Sequence, residues 1–302
     1  MKNLLSCIFI ILLPIFQVPG QELIGHIGRP DISPDGKQIV FIYAQDASKD
    51  VWEMYKADFD GSNVKQLTYL PKARIKKSPV WSPNGKKIAF QADVDEGSQL
   101  FVMNSDGESL TQITDLPGYN VEPHWTPEGN SIVFNSIGEN GLAKMYIMDK
   151  DGSNVQALYN PEGDNWYPRT TRQNKVIFTS DFNDKSHYNV FTVNRDGKNI
   201  QQLTSAKGIN WFPEYSPDES RIVFHSNRDD PQLSDSGDYN LYMMDADGSN
   251  IIQLTKLEGQ ELHAKWHPSG NQLIFEWHNK GSRGLYTLDL STGQIEKVNL
   301  TR

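Results

Sequence analysis

The chain has 302 residues, with 29 Lys and Arg against 38 Asp and Glu, a formal charge of −9, and 37% hydrophobic residues. No run of Lys or Arg offers a surface that tracks phosphates, so neither nucleic acid nor an anionic lipid surface is an expected partner. The only cysteine is Cys7, so disulfides and thiolate metal sites are excluded beyond it, and stability has to come from a large core.

Met1-Lys2-Asn3 is followed by an apolar run from Leu4 to Phe16 and then by Gln17-Val18-Pro19-Gly20. A basic start, an apolar middle and a small-residue exit form the layout of a secretory signal peptide. Residues 1–20 are therefore expected to be that signal and 21–302 a single exported domain, periplasmic or secreted. The apolar run is too short to span a bilayer comfortably, so no membrane insertion is expected once it is removed.

From Pro30 the chain repeats itself. "PDISPDGKQIVFI" begins at 30, "PVWSPNGKKIAFQ" at 79, "PHWTPEGNSIVFN" at 123, an eroded "PRTTRQNKVIFTS" at 168, "PEYSPDESRIVFH" at 213 and "AKWHPSGNQLIFE" at 264. The spacing of 44 to 51 residues signals a repeat architecture. Residues 76–114 show what one repeat encodes: four strand-like runs, "SPVWS", "KKIAFQA", "QLFVMN" and "LTQIT", with Ile88 and Phe90 alternating against Ala89 and Gln91. Pro83-Asn84-Gly85 specifies the first hairpin turn. A second turn, Asn/Asp-x-Asp-Gly, recurs at 58–63, 104–109, 149–154, 194–199 and 245–250 and has drifted to "DLSTGQ" at 289–294. Four antiparallel strands per unit, six units and no helical periodicity predict an all-β fold, a six-bladed β-propeller of four-stranded antiparallel blades. Trp81, Trp125, Tyr215 and Trp266 share one repeat position and are expected to wedge blade against blade.

The combination Pro-x-[Trp/Tyr]-[Ser/Thr]-Pro-[Asp/Asn/Glu]-Gly-x-x-Ile-x-Phe, then Asp-x-Asp-Gly-Ser-Asn, then Gln-Leu-Thr resembles the WD40-like repeat of the TolB-like propeller family. The resemblance covers nearly all of residues 21–302 and implies a protein- or peptide-binding scaffold in the cell envelope. Relatives that act on polysaccharides supply a second reading, in which the same face binds a glycan or degrades a polysaccharide. About ten residues separate Gly20 from Pro30, so the α/β domain that precedes the propeller in TolB is not expected here, and that puts a Tol-system role in doubt.

The Asp-x-Asp-Gly turns resemble the start of a calcium loop, but position 12 from Asp58 is Tyr69, and from Asp245 it is Lys256, where an EF-hand needs Glu. Asp and Asn turn hydrogen bonds explain the motif instead. His124 and His263 stand where chains run into their blades; with Glu122 and Glu261 they are chemically able to bind a metal, but ordinary polar lining of a channel mouth is the expected role. No metal, cofactor or catalytic residue is assigned. The loops between repeats carry the binding signal: Asn120, Asn165 and Asn210 each stand three residues before the landmark proline, Trp166 and Trp211 follow two of them, and Arg169 and Glu214 lie just beyond. Trp166 and Trp211 suit a partner's anchor residues, a sugar ring, or blade packing, and these readings stay open. The insertion "DDPQLSDSGD" at 229–238 is expected to be a solvated loop.

Overall fold

The computed structural model describes residues 21–302 apart from 47, 49–50, 70–75, 206, 231–236 and 281. The expected signal at 1–20 and most of the 229–238 insertion lie outside the described residues, which contain no α-helix.

Among the described residues twenty-four strands follow one another as six four-stranded antiparallel units. The first is β1 (His26–Ile32), β2 (Gln38–Ala44), β3 (Glu53–Asp58) and β4 (Lys65–Gln66); the second β5 (Lys76–Trp81), β6 (Lys87–Val94), β7 (Gly97–Asn104) and β8 (Thr111–Gln112). The third is β9 (Tyr119–Trp125), β10 (Ser131–Ile137), β11 (Ala143–Asp149) and β12 (Gln156–Ala157); the fourth β13 (Asn165–Thr170), β14 (Lys175–Ser180), β15 (Asn189–Asn194) and β16 (Gln201–Gln202). The fifth is β17 (Asn210–Tyr215), β18 (Arg221–Ser226), β19 (Asn240–Asp245) and β20 (Ile252–Gln253); the last β21 (Gln260–Trp266), β22 (Gln272–Asn279), β23 (Ser282–Asp289) and β24 (Ile295–Lys297). The second and third units touch through one parallel bridge, Ser98 with Tyr119.

The core is divided among the seams. Each of six apolar clusters joins one unit to the next, and one joins Ile274, Leu285, Val298 and Leu300 of the last unit to Ile32, Ile39 and Phe41 of the first. The repeated aromatics wedge these seams as expected. Trp81 packs with Met54 and Leu67, Trp125 with Leu100 and Val102, Tyr215 with Ile177 and Val190, and Trp266 with Val223 and Leu241. The chain ends clasp the closing seam, Leu23 N–H donating to Leu300 O at 2.8 Å and Arg302 N–H to Gln21 O at 3.1 Å.

The turns are set locally. In Asp-x-Asp-Gly-Ser-Asn the second Asp accepts from the Ser hydroxyl at 2.6 Å (Asp60, Asp151 and Asp247), and Asn63, Asn154 and Asn250 donate back to the first Asp. The glycine also answers to the seam: a Cβ on Gly152 would meet Ile113 O at 2.1 Å, and its φ is +91°. The Thr of Gln-Leu-Thr is a latch. Thr68, Thr114, Thr204 and Thr255 accept a backbone N–H from the first half of the third strand, from Met54, Leu100, Val190 and Leu241, at 2.8–2.9 Å.

Candidate functional site

Every first strand of a unit carries a β-bulge at its landmark position, a proline in five units and Ala264 in the last. Register slips between Gly28 and Asp31, Lys77 and Val80, Trp166 and Arg169, Trp211 and Glu214, and Leu262 and Lys265, and the third unit slips opposite Val133–Asn135. Proline has no N–H to give a ladder, so a bulge is where a paired strand tolerates it. The residue before this landmark position is left-handed in all six units: Arg29, Ser78, Glu122, Tyr167, Phe212 and His263, with φ between 49° and 58°. None is glycine, and such φ values cost a non-glycine residue about 1–2 kcal/mol each. Side chains of the preceding unit pin the bulges: Gln91 accepts from Glu122 N–H at 3.0 Å, Asn135 from Tyr167 N–H at 2.9 Å and Glu276 from Arg29 N–H at 2.8 Å.

These six side chains meet in one tier, half polar and half aromatic. Arg29 donates to Ser78 Oγ at 2.6 Å and to Glu122 Oε1. The Tyr167 and Phe212 rings lie 3.7 Å apart, Phe212 and His263 4.3 Å, and the Arg29 guanidinium 5.8 Å from the Phe212 ring. Two residues further along each strand stands a second tier: Asp31, Val80, His124, Arg169, Glu214 and Lys265. Glu214 is its hub, paired with Lys265 at 2.8 Å, Arg169 at 3.1 Å and His124 at 3.3 Å. Between the tiers lies a cavity of about 30 Å³, lined by Arg29, Glu122, Arg169, Glu214, His263 and Lys265 among others.

Burial opposes ionisation of Glu122, yet Arg29 and, behind it, His263 hold its pKa below the ordinary value. Burial likewise opposes Glu214, and Lys265 and His124 hold it well below. Burial, then Arg169, pushes His124 down to about 4, so it stands neutral beside Glu214 at pH 7. Asp31 is raised to about 6 by burial against the pull of Lys265. His263 Nδ1–H donates to the Glu276 carboxylate at 3.0 Å, and His278 contacts the other oxygen of that carboxylate.

The sequence candidates divide accordingly. Glu122 and His263 join the first tier; His124, Arg169 and Glu214 the second. Asn120, Asn165 and Asn210 are fully buried: Asn120 and Asn165 tie their own loops, donating to Leu116 O at 3.1 Å and Pro161 O at 3.0 Å, while Asn210 donates to Tyr188 O of the preceding unit at 2.9 Å. Trp166 and Trp211 are half-buried and flank the aromatic half, 5.7 Å and 6.0 Å from the Tyr167 ring, with Trp211 also 5.6 Å from Tyr188. Glu261 does not reach His124 or His263. It accepts from Thr255 Oγ1 and, at 3.0 Å, from Leu257 N–H. Among the described residues no group of three or more His, Cys, Asp or Glu is placed to hold a metal ion. Sequence reading missed Arg29, Ser78, Tyr167, Phe212 and Lys265. The signal was a proline inside an alternating strand, which marks a bulge and so singles out the residue before it.

Residues 71–187 match the family model described as the TolB beta propeller domain. The uncharacterized peptidase YuxL of Bacillus subtilis is 30% identical over 118 residues, 36% of this chain and 17% of that protein. The Tol-Pal system protein TolB of Alcanivorax borkumensis is 30% identical over 82 residues, 27% of this chain and 18% of its own length. The crystal structure of TolB from Acinetobacter baumannii superposes with a TM-score of 0.70 at 20% identity, covering 90% of this chain and 62% of that one. This chain thus spans less than a fifth of the length of these two curated relatives.

Proposed function

We propose that this chain, a TolB-like β-propeller, is an exported scaffold of the cell envelope that binds a protein or peptide over the mouth of its axis. One observation carries the reading. The seams repeat from unit to unit, whereas the left-handed slot at each bulge holds Arg, Ser, Glu, Tyr, Phe and His, six different side chains held at a common backbone angle. Strain maintained at equivalent positions, with no repeated residue, is the pattern of recognition on an over-determined frame. Trp166 and Trp211 extend the aromatic half outward and supply anchor area of the kind that dominates protein interfaces. The partner lies over the tiers and does not thread them, since the space between them holds about 30 Å³. A periplasmic or secreted location follows from the signal-like first twenty residues.

The test is cross-linking capture from native envelopes with residues 21–302 and, in parallel, a Trp166→Ala/Trp211→Ala variant. A protein identified with the first and lost with the second supports the scaffold; the same adducts with both, or none with either, contradicts it.

A further inference from the structure

The last unit departs from the others at one register position on its rim. Two residues after the buried Phe of the second strand, the cross-strand pairs are Ala92–Gln99, Ser136–Lys144, Ser180–Asn189 and Ser226–Asn240, a small residue facing a longer polar one. In the first unit the pair is Tyr43–Glu53, and the Tyr43 hydroxyl is tied to Ile24 O at 2.7 Å. In the last unit it is Trp277–Gly284, and here a hollow of about 340 Å³ opens, lined by Trp277, Asn279, Lys280 and Tyr286.

The hollow has the parts of a site. Trp277 is fixed by its Nε1–H, which donates to Glu258 O at 3.0 Å, and the Tyr286 ring stands against it at 5.0 Å and 73°. Gly284 has no left-handed φ to explain it; a Cβ there would press to 3.1 Å from the Tyr286 ring edge. What the glycine provides is space. At the rim stand the Asn279 carboxamide and the Lys280–Glu258 ion pair at 2.9 Å. Its volume falls at the lower end of small-ligand sites, about 300–1,000 Å³.

We infer that this hollow is a binding subsite for a neutral pyranose ring, a hexose or an N-acetylhexosamine, stacked on Trp277 and Tyr286 with its hydroxyls on Asn279, Lys280 and Glu258. A pyranose has an apolar face of C–H groups for an aromatic wall and a rim of hydroxyls that both donate and accept. A carboxamide and a cation–carboxylate pair offer both kinds of partner. The paired rim charges favour an uncharged ring. At Trp277 the β22 ladder is taken on both sides, by Glu261 of β21 and Gly284 of β23, so an added peptide strand has no place beside it. The subsite stands apart from the axial tiers and does not depend on what they bind.

Saturation-transfer NMR on residues 21–302 tests it, with the methyl glycosides of glucose, galactose and mannose, N-acetylglucosamine, and a tri-proline peptide as competitor. The expected result is transfer to the ring protons of at least one sugar with millimolar affinity, at least tenfold weaker in Trp277→Ala and in Gly284→Leu and retained in Trp277→Phe, with melting of Gly284→Leu unchanged to show the fold intact. No transfer to any of these sugars, transfer that survives both Trp277→Ala and Gly284→Leu, or displacement of the sugar by tri-proline at lower concentration overturns it.

Discussion

In the seam between the fifth and last units, Trp266 is 7% exposed, donates from Nε1 to Glu214 O at 3.1 Å and lies under the Arg221 guanidinium at 5.0 Å. Three residues earlier on the same strand, His263 sits on the axis with a left-handed backbone and no counterpart of its own type in any other unit. The seam position is filled by a large aromatic in four of the units and the axial one never twice by the same residue. Both are packed, so burial alone does not separate them. What separates them is that the seam must fit an identical neighbour while the axis need only fill a ring once. Selection on packing therefore repeats a residue at the seam and not on the axis, where the proposed scaffold role gives the choice of side chain to a partner.

Breaking a seam is expected to have the largest effect. Trp266→Ala removes a buried indole and its hydrogen bond and should cost about 3–5 kcal/mol, read as a lower denaturation midpoint at unchanged slope. Gly152→Ala should follow at about 2 kcal/mol or more, since its Cβ would meet a carbonyl of the preceding unit. Gly141→Ala is the control: φ is +73° there too but nothing lies within 4 Å, so only the left-handed cost of about 1 kcal/mol applies. Equal losses at the two glycines would remove the seam from the explanation.

On the axis the ranking of small residues should invert. In an ordinary strand Gly is less stable than Ala by about 0.5–1 kcal/mol. At Ser78, with φ of 53°, Ser78→Gly should be more stable than Ser78→Ala by about 1 kcal/mol, both variants having lost the hydroxyl that Arg29 uses. The usual order in urea melts would show that the slot is relaxed.

The smallest effect concerns pH. Burial raises the Glu261 carboxyl from 4.5 to about 7 against its Thr255 and backbone hydrogen bonds. Between those values the folded chain holds a proton that the unfolded chain has released, so this group's contribution to stability falls as pH rises from 4.5 through about 7. Glu261→Gln should flatten the stability profile across that window and leave it unchanged below pH 4.5; parallel profiles throughout would contradict the shift.

The seams were legible because packing repeats. Turn chemistry at Pro83-Asn84-Gly85, the wedges at Trp81, Trp125, Tyr215 and Trp266, and the Asp-Ser-Asn turns each state a local rule several times. The axis was legible only in part. Glu122, His124, Arg169, Glu214 and His263 were singled out because charge near a channel stands out in a sequence. Asn120, Asn165 and Asn210 repeated for the opposite reason, since from full burial they anchor backbone, of their own loops or, at Asn210, of the preceding unit. Tyr167 and Phe212 look like core residues until the bulge is known, and Arg29 and Ser78 belong to units whose loops carry no aromatic to draw attention. Phase was the missing information: a bulge of one extra residue shifts which side chain meets the axis, and alternation counted through it points to the wrong residue.

The central claim is that the axis serves recognition and the seams serve stability. It is tested most directly by measuring the unfolding free energy and the envelope capture of one preparation each of Tyr167→Ala/Phe212→Ala and Trp125→Ala. The account predicts that the axial pair stays folded and loses its captured partner, while the seam variant is the less stable of the two and still captures that partner below its melting temperature. An axial pair that unfolds the ring, or that captures the same partner as the unaltered chain, would contradict it.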